Sequence, residues 1–280
     1  MVDPTLLLSS LSTAACIVAA MALVAVIETA VPLRARGRWN RRHLAPNLAL
    51  TFITFVTNAI FNAAIVLMLR SGGGLLRAYA LPPLVEVVAV VLTLDFATYV
   101  AHVSMHASPV LWRFHRVHHA DPAVDVTTSI RQHPGEGVIR YAFMATAAFA
   151  LGASPGAFAV YRLWSALQAP LEHANVRVPR RLDSLLSCVI VTPNMHKVHH
   201  SRRRQETNTN YGNILSLFDR LFSTFTPSRR GVSVDYGLDG FDHDAVQSTA
   251  GLLAMPFRVG GVGGDAAIPS RQSSTATRAR

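Results

Sequence analysis

Charge is scarce in this chain. Of 280 residues only 15% are Asp, Glu, Lys or Arg, and half are hydrophobic, where an ordinary soluble domain carries roughly 25% charged residues. That shortage argues against a conventional soluble globule and for a membrane. Acidic residues are the scarcer sign, 16 against 26 Lys and Arg, which leaves a net charge of +10. The arginines lie in short segments beside apolar runs, which suits lipid headgroups and topology signals, and no nucleic-acid partner is expected. Cysteine is nearly absent. Cys16 and Cys188 lie in apolar surroundings with no CxxC, which excludes a zinc ribbon, an iron–sulfur ligand set and a redox pair. Neither HExxH nor GxGxxG is formed, so the zincin motif and the dinucleotide loop are missing as well. No internal repeat is found.

What the chain does have is long apolar runs. Residues 4–27 and 49–69 carry no charge, and 24 residues suffice to cross a hydrocarbon core of roughly 30 Å. A signal peptide is the competing reading of the first run, weakened because Asp3 rather than a basic segment precedes it. Arg34, Arg36, Arg38, Arg41 and Arg42 follow within nine residues, and the positive-inside rule places them in the cytoplasm. Asn58 and Asn62, four apart, are expected to face a neighbouring helix. Gly72–Gly74 and Pro82–Pro83 mark a turn. A third apolar run, 84–106, becomes polar in its second half, DFATYVAHVSMH. Two further runs, 138–152 and 155–171, are broken by GASPG and read as a fourth helix and its return. With the N-terminus outside, three crossings deliver His106 to the cytoplasm and two more return the chain there at His173. From about 257 onward Gly, Ser, Thr and Arg dominate and disorder is expected. Residues 1–256 then form a single membrane-embedded domain.

Histidine is the other abundance. His102 and His106 make HxxxH; His115, His118 and His119 make HxxHH; His196, His199 and His200 repeat HxxHH. Residues four apart share one helix face, and neutral imidazole is a common ligand for zinc, copper, iron and nickel. Eight clustered imidazoles exceed the four that a structural zinc needs, so the economical reading is a two-metal centre. Asp95 and Tyr99 continue the His102–His106 stripe at spacings of four and three. An acid inside a span is a functional candidate. Asp95 either orients a ligand histidine through its outer nitrogen or hydrogen-bonds a neighbouring helix. His43 and His243 lie outside the boxes and are expected on the surface.

The stretches DFATYVAH, PVLWRFHRVHH, HPGE, LEHAN, TPNMHKVHHS and NYGNILSLFDRLFSTF, over about residues 92–226, resemble the sterol desaturase/fatty acid hydroxylase superfamily of membrane di-iron oxygenases. The resemblance implies an all-α fold, an integral-membrane four-helix-type bundle with a cytosolic histidine-rich cap. It implies two iron ions, replaceable by zinc in purified protein, with O2 as co-substrate. The reaction implied is hydroxylation or desaturation of a lipid: a sterol, fatty acyl chain, carotenoid or ether lipid. The eight histidines of the boxes match ligand positions, and His173 in EHAN matches a further one. His133 in HPGE is either a tenth ligand or a group behind the ligands. Val103, Phe218 and Ser223 replace the Arg, Trp and Gly usual at their positions; these departures spare the ligands and bear on the substrate. HPGE only partly echoes a cytochrome b5 haem motif, so a separate ferredoxin, cytochrome or reductase is expected to supply electrons. Two other classes compete: a zinc-dependent membrane hydrolase, disfavoured by the missing HExxH, and a metal transporter, disfavoured because most of the histidines lie at span ends and in loops.

Overall fold

A computed structural model describes residues 4–35, 42–79, 81–227 and 233–258. Arg36, Arg38 and Arg41 of the basic loop and residues 259–280 of the tail lie outside the described residues. Every regular element among those described is a helix. Three are long: α1 (Pro4–Ala30), α2 (Leu44–Arg70) and α3 (Pro83–Ala107). Next come α4 (Pro109–His119), α5 (Pro134–Leu151) and α6 (Pro155–His173). Short helices complete the chain: α7 (Arg180–Leu186), α8 (Pro193–His199), α9 (Arg204–Thr207), α10 (Leu217–Leu221), α11 (Asp244–Gln247) and α12 (Thr249–Ala254). Proline opens α3, α4, α5, α6 and α8, where its missing N–H would have had no helical partner anyway. Ser108, Ser154 and Thr192 cap three of these helices by accepting from Leu111, Ala157 and Met195 N–H.

Three stretches are long and apolar enough to cross a membrane: Thr13–Ala30 of α1, Leu44–Ala78, which comprises α2 and the turn after it, and Pro83–Ala107, the whole of α3. α3 is central and packs on α4, α5 and α6, while α2 packs on α5 and α6. Between them lies one apolar core that includes Leu69, Leu94, Met144, Phe158, Tyr161 and Ile214. The α5–α6 turn meets the α2–α3 turn. A Cβ on Gly74 would lie 2.2 Å from the Gly152 nitrogen, so only glycine permits the approach, and both glycines have positive φ. Ser154 N–H also donates to Glu86 at the start of α3 (2.9 Å). The tip of the α5–α6 hairpin therefore lies at the end of α3 remote from its histidines. Tyr141 donates to Asn62 (3.0 Å) and Arg162 donates to the same oxygen (3.1 Å), so Asn62 does face neighbouring helices.

α1 docks through one buried acid. Glu28, just past the uncharged run, accepts from Val126 N–H (2.8 Å) and Asn175 N–H (2.7 Å). His43 corrects an expectation: it is buried, 4% exposed, because Asp121 lies 3.0 Å from its Nδ1 and Asp125 3.4 Å from its Nε2. Burial opposes the charged ring, but the two carboxylates overcome it and push the pKa up to about 10. Fully buried Arg131 belongs to the same network, donating to Val117 O (3.0 Å), Asn47 (2.8 Å) and Gln247 (2.8 Å). His243 is exposed, as expected.

Candidate metal centre

Nine histidines converge at the ends of α3, α4, α6 and α8. They form two groups, each able to hold an ion: His102, His106, His115, His119 and His199 in one, His118, His173, His196 and His200 in the other. The helical i, i+4 spacing pairs His102 with His106, His115 with His119 and His196 with His200. HxxHH also presents adjacent histidines to opposite groups: His118 and His119 part company, as do His199 and His200. The groups are neighbours, with the His119 and His200 rings 4.7 Å apart.

The Nε2 atoms face inward. His115 Nε2 is 3.0 Å from His102 Nε2 and 3.1 Å from His119 Nε2. In the smaller group His173 Nε2 lies 3.1, 3.0 and 3.2 Å from those of His118, His196 and His200. Nitrogens about 2.1 Å from a common ion and about 90° apart stand about 3.0 Å from one another. One proton per neutral ring cannot satisfy such a convergence by hydrogen bonding alone. His106 Nε2 and His199 Nε2 are buried with no hydrogen-bond partner. The donor set thus fits two metal ions.

Outer nitrogens orient the rings of the larger group. His102 Nδ1 donates to Tyr211 O (2.9 Å), His106 Nδ1 to Asn208 Oδ1 (3.1 Å), His199 Nδ1 to Thr209 O (2.8 Å) and His119 Nδ1 to Thr207 Oγ1 (3.3 Å). His115 Nδ1 makes no hydrogen bond, but Glu136 Oε1 stands 3.0 Å from it. Such partners hold a ring with Nε2 directed at the ion. Four of the five come from the single stretch 207–211. The smaller group is held less completely: His173 Nδ1 donates to Ala169 O (2.8 Å), whereas the Nδ1 atoms of His118, His196 and His200 have no hydrogen-bond partner. Burial lowers the pKa of His115, His118, His119, His196 and His200 well below the ordinary value and that of His199 to about 4. Burial thus favours the neutral rings, whose lone pairs a metal could take.

The structure does not bring His133 to either group. It caps α5, with Nδ1 accepting from Gly135 N–H (2.9 Å) and Nε2 3.2 Å from Leu253 O, so both ring nitrogens are engaged elsewhere. Asp95 touches no histidine in its hydrogen bonding. It accepts from Asn213 Nδ2 (3.2 Å), Ile214 N–H (3.1 Å) and Leu215 N–H (3.0 Å) and so anchors the segment that carries Tyr211. Tyr99 bonds Thr224 (2.9 Å). Sequence reasoning missed Glu136, Thr207, Asn208, Thr209 and the Tyr211 carbonyl as ring-orienting groups, and two of these are backbone atoms with no side-chain signature. It also missed Trp112, whose ring lies 4.9 Å from His106 and 5.2 Å from His119.

The fatty acid hydroxylase family matches residues 87–224. An ornithine lipid hydroxylase of Rhizobium tropici is 31% identical over 176 residues, 63% of this chain and 51% of that protein. The human alkylglycerol monooxygenase is 29% identical over 149 residues, 52% of this chain and 32% of that protein. A very-long-chain aldehyde decarbonylase of Arabidopsis thaliana is 27% identical over 142 residues, 48% of this chain and 22% of that protein. The chain therefore spans about half of the bacterial relative and a third or less of the other two. No solved structure matches it.

Proposed function

Because residues 87–224 make this chain a member of the fatty acid hydroxylase family, within the sterol desaturase/fatty acid hydroxylase superfamily, we propose that it is an O2-dependent di-iron oxygenase acting on a C–H bond of a membrane lipid. The observation that carries the reading is the convergence of nine histidine ring nitrogens into two adjacent groups. His102, His106, His115, His119 and His199 would hold one ion, and His118, His173, His196 and His200 the other. Iron supplies the O2 chemistry that amino-acid side chains lack, since aliphatic C–H bonds resist acids, bases and ordinary nucleophiles.

The protein's own residues bind, orient and exclude water. The Nδ1 partners keep four of the five rings of the larger group fixed. Tyr211 packs its ring 5.5 Å from His102, 5.0 Å from His106 and 5.6 Å from His199, and Trp112 covers His106 and His119. These two aromatic faces form an apolar cover on the larger group and suit a lipid chain better than a polar substrate. The relatives named as lipid hydroxylase and alkylglycerol monooxygenase support the substrate class. Electrons come from a separate donor.

α2, α3, α5 and α6 are the four helices of the bundle in this reading, and the glycine contact at the hairpin tip supports α5 and α6 as crossings. The histidines then lie at the cytoplasmic face. The deciding measurement is metal analysis of purified protein combined with O2 uptake in the presence of lipid extract and a reductant. About two metals per chain and lipid-dependent O2 uptake, restored by iron to stripped protein, are expected. Lipid hydrolysis without O2 consumption, sustained by zinc, would overturn the reading.

A further inference from the structure

Two short helices outside the bundle expose more apolar surface than a water-facing cap tolerates. On α7 and the turn after it Leu182, Leu185 and Val189 are exposed, Leu185 at 70%. On α10 and its end Leu217, Leu221 and Phe222 are exposed, Leu221 at 67%. The helices lie side by side, because Ser216 Oγ donates to Ser187 O (2.7 Å) and Arg220 donates to the same oxygen (2.8 Å).

The depth of this pair along α3 is set by Asp95. α3 runs from Pro83 to Ala107, so Asp95 stands about 18 Å from either end of the span. Its carboxylate accepts from Ile214 N–H and Leu215 N–H, and Ile214 O and Val189 O in turn accept from Val191 N–H (2.9 Å) and Ser216 N–H (3.1 Å). Non-helical backbone survives at membrane depth only where its polar groups are satisfied by protein, and these are. The Phe222 ring lies 5.7 Å from that of Phe96, and Phe218 lies 5.2 Å from it. Phe96 is an exposed residue in the middle of α3. The exposed face of α7 and α10 is thereby continuous with the lipid-facing side of a membrane span.

Charge is arranged to match. Arg177, Arg180 and Arg181 are exposed and gathered at the N-terminal end of α7. Asp183 and Asp219 are buried, so neither carboxylate faces outward. Arg220, on the face itself, is bonded to Ser187 O and stacked 3.9 Å above the Phe225 ring.

We infer that the face formed by α7 and α10 is embedded in the bilayer beside α3, with its leucines and Phe222 among acyl chains and Arg177, Arg180 and Arg181 at the headgroup phosphates. Apolar side chains below and arginines at the rim are the pattern of a helix lying in the membrane interface. The inference rests on the membrane placement of α3 and is independent of which reaction the metal centre performs.

The test uses the full chain in phosphatidylcholine vesicles, in a Cys16→Ala, Cys188→Ala background with single cysteines carrying an environment-sensitive fluorophore. Leu185→Cys and Leu221→Cys report on the face. Leu92→Cys, an exposed position on α3, is the lipid reference, and Asp239→Cys, with an 80% exposed side chain, is the water reference. Quenching by spin-labelled lipid at 185 and 221 should match position 92 within about twofold, and iodide quenching should be about fivefold weaker than at 239. Iodide quenching equal to that at 239 would overturn the proposal, because the face would be in water. Protection from both quenchers, with cross-links between chains, would equally overturn it by assigning the face to a second copy.

Discussion

In the proposed metal centre the rings of the larger histidine group divide their labour: Nε2 would serve the ion, and Nδ1 is hydrogen-bonded from outside in four of the five rings. Removing one ring therefore removes a ligand without disturbing a span. His199→Ala is expected to lower bound metal from about two toward about one per chain and to reduce lipid oxidation by about 100-fold or more, while the protein stays in the membrane fraction. His133→Ala is the matched comparison. Its ring caps α5 and bonds Leu253 O, so this variant should keep both metals and lose about 1 kcal/mol of stability. Metal analysis of the two variants separates the roles, and equal metal loss in both would return His133 to the ligand set. A pH experiment isolates His43. Its folded pKa, about 10, exceeds the ordinary 6.5. A raised pKa contributes stability that is fully present below 6.5 and is lost as pH rises through about 10. The gap in unfolding temperature between the native chain and His43→Gln should be widest near pH 6 and shrink steadily toward pH 10. A gap that does not change with pH would mean that His43 acts by packing alone.

At the scale of elements, the stretch 207–216 does more than its irregular shape suggests. It supplies four of the five ring-orienting groups and is held by Asp95 on one side and Asp219 on the other, through Tyr211 N–H (2.7 Å) and Gly212 N–H (2.8 Å). Asp95→Ala leaves the buried Ile214 amide unpaired, at about 1–3 kcal/mol, and removes the acceptor of the part-buried Leu215 amide as well. The expected result is a lower unfolding temperature, new protease cleavage between residues 205 and 225, and weaker metal retention, although no ligand has been altered. Unchanged cleavage would show that the bundle holds this stretch without the carboxylate. The histidine boxes were legible because i, i+4 spacing is a local rule that any helix obeys. The partners of their outer nitrogens were not, because Tyr211 O and Thr209 O are backbone atoms 109 and 10 residues away from the rings they hold.

For the whole molecule the decisive quantity is sidedness. Arg42 pairs with Asp244 (3.2 Å), and Arg202 pairs with Asp239 (2.8 Å) and Asp242 (2.8 Å). This places the basic loop end and the late loops around the metal centre on one face. Leu75 lies in the turn between α2 and α3, at the other end of the bundle, and is exposed. Cysteines at 42 and 239 in the cysteine-free background should react with an impermeant thiol reagent from one side only, the cytoplasmic side by the positive-inside rule. A cysteine at 75 should react from the other. Labelling of 42 and 75 from the same side would rule out α2 as a crossing.

The amino-acid sequence by itself determined that this chain is helical and apolar and that its histidines are spaced to gather into groups that could hold metals, because hydrophobic runs, proline starts and HxxHH spacing each act within one helix or one turn. The sorting of His118 from His119 and of His199 from His200 into opposite groups follows from the same local geometry once α4 and α8 face each other, but that facing is a tertiary fact. Only the fold decided that His43 is buried, since its carboxylate partners lie 78 and 82 residues away. Likewise it placed Asp95 on backbone amides rather than on a ring, and used His133 as a cap. Each of these outcomes depends on which polar group happens to be left buried when distant segments pack. The protein must satisfy every such group, and a local pattern carries no record of where the partner will come from.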